Sequence, residues 1–369
     1  MVFKRFYNEQ LAQASFLVGC GATGEAIVID PNRDVAQYIH AAEAEGLQIT
    51  AVTETHIHAD FLSGTRELSA RTSAKMYLSD EGTDDWKYEF AKDPLATLVK
   101  DGSVVRIGKI RLDVVATPGH TPEHISFVLT DEPASDKALG AFTGDFIFVG
   151  DVGRPDLLER AANIKGTMEV GGRQLFASVQ SFANKEDGLL IWPGHGAGSA
   201  CGKNLGGAPV SSLGYEKASN WAFKPQTESE FVEEVLAGQP EPPNYFAMMK
   251  SLNKKGPEIM GGFRKPLHLD GMILSRLVGD SAQVVDVRQP EEVAKGYVGG
   301  TINIPLDKGF VNWAGWFMKY DKDIFLIAEN EKQATQATKE LAMIGLDRVE
   351  GWFDLSAFLA FKTQGGRLS

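Results

Sequence analysis

The chain has 369 residues, too many for one ordinary hydrophobic core and about right for two domains. Its net charge of −12 leaves no basic excess to neutralise phosphates, which excludes a general nucleic-acid binder. With 43% apolar residues, 39 Gly, 16 Pro and only two cysteines, it is neither disordered, fibrous nor a disulfide scaffold. No apolar h-region follows the N-terminus and no run reaches the ~18 apolar residues of a membrane span, so a cytoplasmic protein with no membrane partner is expected.

Residues 15–18 and 26–29 are β-rich runs around Gly19-Cys20-Gly21-Ala22-Thr23-Gly24. The hexapeptide matches the dinucleotide fingerprint, which requires a helix to open at its end. Here a strand stopped by Pro31 follows, so a glycine-rich hairpin turn is expected. Residues 34–45 have helical spacing with Gly46 as C-cap. A strand over 49–53 then delivers Thr53-Glu54-Thr55-His56-Ile57-His58-Ala59-Asp60-Phe61, and a helix is expected over 63–71. Residues 104–107 and 110–116 form a hairpin about Gly108 that ends in Thr117-Pro118-Gly119-His120. Residues 141–142 lead into Thr143-Gly144-Asp145, and residues 189–192 into Pro193-Gly194-His195.

An acidic amphipathic helix over 226–237 precedes breaks at 238–243 and 254–257. From Pro266 onward, strands at 284–287, 302–304 and 324–327 alternate with helices such as 333–343, which predicts a small α/β domain with a parallel sheet. The expected division is a catalytic domain over 1–240, a linker over 241–262 and a second domain over 263–369.

One pattern recurs four times: an apolar strand, a tight turn, then His or Asp. It yields six candidate metal ligands, His56, His58, Asp60, His120, Asp145 and His195, and includes four of the chain's seven histidines. Imidazole and carboxylate donors presented by several strand ends describe a metal site held on a rigid scaffold. A His at position 61 would supply a ligand for a second metal, and Phe61 stands there.

These motifs resemble the successive metal-binding motifs of the metallo-β-lactamase superfamily over roughly residues 1–240. The fold that the resemblance implies is an αββα sandwich with the metal in the cleft between the sheets, followed here by the smaller α/β domain. Binuclear hydrolases of that superfamily, such as hydroxyacylglutathione hydrolase, place a His directly after the Asp. The persulfide dioxygenase branch uses a single iron. By that resemblance its ligand set corresponds to His56, His120 and Asp145, with His58 as an additional candidate ligand. Two imidazoles and one carboxylate suit a mononuclear non-heme Fe(II) centre with open positions. Asp60 and His195 are then expected to tune the site by hydrogen bonding.

Phe148-Val149-Gly150-Asp151-Val152-Gly153-Arg154-Pro155-Asp156 resembles the stretch of persulfide dioxygenases whose Arg contacts substrate. It places Arg154 at the cleft rim as an anion fork. Ala197 stands where mitochondrial-type members carry a glutathione-binding Tyr, a departure that argues against glutathione. The loop Gly198-Ser199-Ala200-Cys201-Gly202-Lys203 resembles that of bacterial persulfide dioxygenases fused to rhodanese domains, where the Cys accepts sulfane sulfur. Cys201 beside the Lys203 cation is therefore expected to be a reactive thiolate, with Lys203 near the substrate, and Cys20 to be structural.

Val284-Val285-Asp286-Val287-Arg288 and Gly296 to Pro305 resemble rhodanese signatures. The nucleophile position carries Ala328 or Glu329 instead of Cys, which predicts an inactive docking module for a sulfur-donor protein. The expected activity is oxidation of a low-molecular-weight persulfide by O2 to sulfite or thiosulfate, with one Fe(II) per chain, in a homo-oligomer. The competing expectation is a Zn(II) thioester hydrolase of the hydroxyacylglutathione hydrolase type. A sulfur carrier with a purely structural metal is a third reading, less favoured because structural sites close their coordination sphere.

Overall fold

Apolar side chains alternate between the two faces of the strands, and in a computed structural model this alternation builds a layered first unit, Met1–Gly261. The structure describes residues 1–369 apart from 163–165 and 281. One sheet runs β1 (Val2–Asn8), β2 (Gln13–Cys20), β3 (Glu25–Ile29), β4 (Gln48–Thr53), β5 (Lys75–Ser79), β6 (Ala96–Val99) in that order. It is antiparallel up to β3 and parallel from β3 onward. The other runs from β7 (Val104–Ile107) through β8 (Ile110–Ala116), β9 (Ile125–Asp131), β10 (Gly140–Gly144) and β11 (Leu190–Pro193) to β12 (Ser211–Ser212). Only its β10–β11 pair is parallel.

Phe16 and Val18 of β2 and Ile27 and Ile29 of β3 face the second sheet, where they meet Leu112, Phe127 and Phe142. Leu17, Ala26 and Val28, one residue out of phase, face the opposite way. They pack with Tyr38 of α1 (Ala36–Ala44) and Leu68 of α2 (Thr65–Thr72). The second sheet is covered by α4 (Thr167–Phe182), which follows a short α3 (Leu157–Ala162), and by α6 (Glu228–Leu236), which follows α5 (Leu213–Ser219). The result is the expected αββα order, with an apolar middle layer between the sheets.

Gly19 and Cys20 end β2, and residues 21–24 form the turn to antiparallel β3, as expected for a hairpin. Residues 241–262, expected as a linker, instead contain the helix α7 (Phe246–Lys255), whose Phe246 and Met249 are buried. The first unit therefore runs to Gly261. The sequence reading also missed α4, whose adjacent Gly171 and Gly172 weaken helical propensity. A Cβ on Gly171 would lie 2.8 Å from the Gly119 carbonyl, so glycine lets α4 approach the His120 loop.

The second unit, Gly262–Ser369, is built on five parallel strands. They are β13 (Leu267–His268), β14 (Gln283–Asp286), β15 (Ile302–Asn303), β16 (Ile324–Ile327) and β17 (Val349–Phe353), in the spatial order β13-β17-β16-β14-β15. Crossovers by α8 (Leu274–Gly279), α9 (Pro290–Val293), α10 (Phe310–Phe317) and α11 (Glu331–Met343) accompany the parallel pairing, and α12 (Ser356–Thr363) follows β17. Asp286 ends β14, and the buried Arg288 guanidinium grips its carboxylate at 2.6–3.1 Å.

Removing one partner of a buried ion pair leaves the other charge unsatisfied, at ~3–5 kcal/mol. Asp286→Ala is therefore expected to speed hydrogen exchange of β14 and β16 amides by about two orders of magnitude or more. Unchanged protection would show that the pair contributes nothing to this unit.

Candidate metal centre

β4, β8, β10 and β11 each end in a turn that presents part of one buried cluster. The ends are tied together by backbone. Gly194 donates to the Gly144 carbonyl at 2.8 Å, Ala14 to that of Gly194 at 2.7 Å, and Ile125 to that of Thr55 at 2.8 Å. Gly144 has φ +49°, and a Cβ there would meet Thr55 Oγ1 at 2.4 Å and His124 Nε2 at 2.8 Å. The turn into Asp145 therefore needs glycine.

His56, His120 and Asp145 each bring a donor atom within 4.8 Å of the other two. His120 Nδ1 donates to the Arg154 carbonyl at 2.9 Å, which leaves the Nε2 lone pair inward, 3.5 Å from Asp145 Oδ2. His56 Nδ1 lies 3.0 Å from Thr55 Oγ1, which donates to Asp30 Oδ2 at 3.0 Å. His56 Nε2 then points inward as well, 3.8 Å from Asp145 Oδ2. Both rings are thus oriented through the nitrogen that does not face the cluster, the usual arrangement of metal-binding histidines. His56 Nε2 and both carboxylate oxygens of Asp145 are buried without a hydrogen-bond partner in the structure. Converging lone pairs and a buried carboxylate fit a cation.

A second trio, Asp60, His195 and Cys201, meets the same distance condition. His195 Nδ1 donates to the Ala12 carbonyl at 3.0 Å. Its Nε2 stands 3.3 Å from Asp60 Oδ2 and 3.4 Å from Asp145 Oδ1, so this trio adjoins the first. Both oxygens of Asp60 are buried with no hydrogen-bond partner from another side chain or backbone group among the described residues.

Burial drives the charge states. It lowers His120, and with the neighbouring imidazoles it holds His56 well below the usual histidine value, so both imidazoles are neutral. Burial alone would raise Asp145, but His195 and His120 lower it from the ordinary carboxylate value. Burial raises Asp60. It would lower His195, which Asp145 and Asp60 instead raise.

The structure places three expected site residues differently. Arg154 is not at a cleft rim. Its fully buried guanidinium forks onto Asp156 at 2.7 and 2.7 Å and donates to the Ala200 carbonyl at 3.1 Å. Its own carbonyl holds His120. Cys201 does not sit beside a free cation either, because the Lys203 ammonium is held by Glu234 at 2.9 Å and by the Glu234 and Ala237 carbonyls. Burial and the carboxylates of Asp145 and Asp60 push the Cys201 thiol well above its ordinary value, which opposes a thiolate. Cys20, expected to be inert, accepts the Lys109 amide and has a thiol lowered to about 7: burial alone would raise it, but donated hydrogen bonds prevail.

His58 lies outside the first trio. Its Nε2 is 3.1 Å from Asp30 Oδ1, its Nδ1 has no partner, and its ring packs 4.4 Å from that of Phe61. Sequence reading missed three supporting residues. Asp30 accepts the Thr55 amide at 2.6 Å and follows β3 before Pro31, the same strand-end pattern as the candidate ligands. His124, four residues after His120, accepts the Asp145 amide on Nε2 at 3.1 Å; burial lowers it to about 3, which keeps it a neutral acceptor. Glu123 accepts the Ile57 amide at 2.8 Å.

A sequence profile of the metallo-beta-lactamase superfamily matches residues 9–195, and one of the rhodanese-like domain matches residues 273–353. A solved metallo-beta-lactamase from Staphylococcus aureus subsp. aureus COL is 42% identical, with a TM-score of 0.86 over 96% of this chain and 99% of that one. ETHE1 from Myxococcus xanthus is 25% identical, with a TM-score of 0.56 over 69% of this chain and 98% of that one. A hydroxyacylglutathione hydrolase of Polaromonas sp. is 32% identical over 49% of this chain, and this chain spans 61% of that protein. The mitochondrial persulfide dioxygenase ETHE1 of Bos taurus is 28% identical over 53% of this chain and 68% of its own length.

Burial alone would lower His58, but the charge of Asp30 and the hydrogen bond to it, with Asp60 and Glu54, carry it up to about 9 in the metal-free protein. A folded value above the unfolded 6.5 gives stability that is complete below 6.5 and lost as pH rises through about 9. The urea midpoint of metal-free protein should fall over that window, and Asp30→Asn should flatten the fall. An unaltered slope in the variant would disprove the assignment.

Proposed function

Because the chain belongs to the metallo-beta-lactamase superfamily and pairs its catalytic fold with a rhodanese-like domain, we infer that it is a persulfide dioxygenase. The observation that carries this reading is the trio His56, His120 and Asp145, whose inward lone pairs and unpartnered carboxylate make a two-imidazole, one-carboxylate donor set. Phe61 supports it by withholding the imidazole that a second ion would use. The reaction takes a persulfide RSSH, O2 and water to the thiol RSH, sulfite and two protons.

An Fe(II) ion held by the trio supplies the redox chemistry and the open coordination positions that this oxidation needs. The chain's residues supply the rest. Asp30 through Thr55, and the Arg154 carbonyl, lock the His56 and His120 rings, while His124 fixes the Asp145 backbone. Asp60, His195 and Cys201 adjoin the trio and form the polar wall where sulfur and oxygen meet. His195, held above its ordinary value by Asp145 and Asp60, can carry a proton for the departing thiol. Arg154 acts as a positioning residue. The rhodanese-like domain, with Ala328 and Glu329 after β16, serves in this reading to dock a sulfur donor.

One observation favours the hydrolase alternative: Asp60, His195 and Cys201 are together able to take a second ion, with a thiolate in place of the imidazole absent at Phe61. Anaerobically reconstituted protein is expected to hold one iron per chain and to consume O2 with a persulfide. His120→Ala should lower both bound iron and O2 uptake by about a hundredfold or more. Two zinc ions per chain, thioester cleavage and no O2 uptake would establish the alternative instead.

A further inference from the structure

Among the described residues, 58–62 make no backbone–backbone hydrogen bond, so neither sheet fixes the stretch that carries Asp60. Asn253 of α7 fixes it instead. Its side-chain nitrogen donates to the His58 carbonyl at 2.8 Å and to the Phe61 carbonyl at 2.7 Å, while Oδ1 accepts the Ser63 amide at 2.9 Å. Two carbonyls require the nitrogen and one amide requires the oxygen, so the carboxamide fits this place in one orientation.

The helix carries Asn253 there by its own packing. Phe246, Met249 and Asn253 recur at i, i+3 and i+7, so the buried stripe that seats α7 also bears the carboxamide. The chain beyond is clamped to α2, the helix that follows the loop. Arg66 Nη1 donates to the Gly256 and Pro257 carbonyls at 3.0 and 2.8 Å, and Glu67 Oε2 accepts the Met260 amide at 2.7 Å. Within the pinned stretch, Asp60 Oδ2 lies 3.3 Å from His195 Nε2, itself 3.4 Å from Asp145 Oδ1. No hydrogen bond from another group among the described residues holds the Asp60 carboxylate, so the backbone on either side sets its place.

We propose that Asn253 is a positioning residue of the metal centre: by pinning residues 58–63 it sets the Asp60 carboxylate against His195 and so shapes the wall beside the ion. It acts through the loop and touches none of the reacting atoms. This role depends on the donor cluster, and it needs the persulfide reading only for its turnover readout. Aspartate at this position keeps the size and the acceptor but turns an oxygen toward two carbonyls that need a donor. The loop then opens while the trio still binds iron, because Thr55 and the Arg154 carbonyl hold the His56 and His120 rings without it.

The test uses the full-length iron-loaded protein, with nitric oxide under anaerobic conditions as the probe of the ion's surroundings. Asn253→Asp is expected to keep its iron, to change the line shape of the ferrous–nitrosyl paramagnetic resonance signal, and to lower kcat for O2 uptake by about tenfold or more. Because Asn253 acts through Asp60, adding Asn253→Asp to Asp60→Ala should leave the nitrosyl signal of the Asp60 variant as it is. A role confined to folding would lower stability and leave the iron-loaded fraction with the wild-type signal. That result overturns the proposal, as does a further change in the Asp60→Ala background. Residue-resolved hydrogen exchange of the wild type needs no variant to fold. The Ser63 amide should exchange within about tenfold of the α7 amides, and faster exchange than that would show a loop that opens without α7. The expected spectra and exchange without O2 uptake for any persulfide would leave the role of Asn253 standing and remove the dioxygenase reading.

Discussion

The buried carboxylate of Asp145 is the constraint around which the first unit is organised. Its oxygens have no hydrogen-bond partner, yet they lie 3.4–3.8 Å from the inward nitrogens of His56, His120 and His195. An isolated carboxylate this deep would be prohibitively costly unless a cation or proton shared the space. The fold gathers four strand ends at that point and fixes each imidazole from behind, through Thr55, the Arg154 carbonyl and the Ala12 carbonyl. Rigid backbone thus substitutes for side-chain freedom at the place where an ion must be met without rearrangement.

The strand-end rule is why so much of the centre was legible in the sequence. His56, His120, Asp145 and His195 follow apolar runs and turn residues, and the two sheets bring those runs to a common edge. What stayed hidden depends on contacts far apart in sequence. Arg154 resembles a substrate fork with Asp156 as a nearby partner, but nothing local reveals that the pair is fully buried or that the distant Ala200 carbonyl takes a further donor. Lys203 follows Cys201 by two residues, yet α6 draws its ammonium away to Glu234. The helices α4 and α7 escaped notice because glycines interrupt one and glycine- and proline-rich breaks flank the other, and tertiary packing overrides both.

Phe61 and Cys201 define the chemical choice. Phe61 removes an imidazole and packs its ring at a tilt against His58, while Cys201, 140 positions along the chain by their numbers, comes to lie with Asp60 and His195. The carboxylates around Cys201 keep it a thiol in the metal-free protein, so the adjoining trio is polar but not preformed as an anionic nest. A single ion with an open side facing this wall is the arrangement that oxidation of a sulfur ligand calls for. A thiolate-bearing second ion is the arrangement a binuclear hydrolase would use.

Metal count and place therefore decide between these two arrangements. Anomalous diffraction at the iron edge, from crystals grown anaerobically with iron, tests both most directly. One peak is expected, bounded by His56 Nε2, His120 Nε2 and Asp145 Oδ2. A second peak of comparable height among Asp60, His195 and Cys201 would contradict the single-ion arrangement.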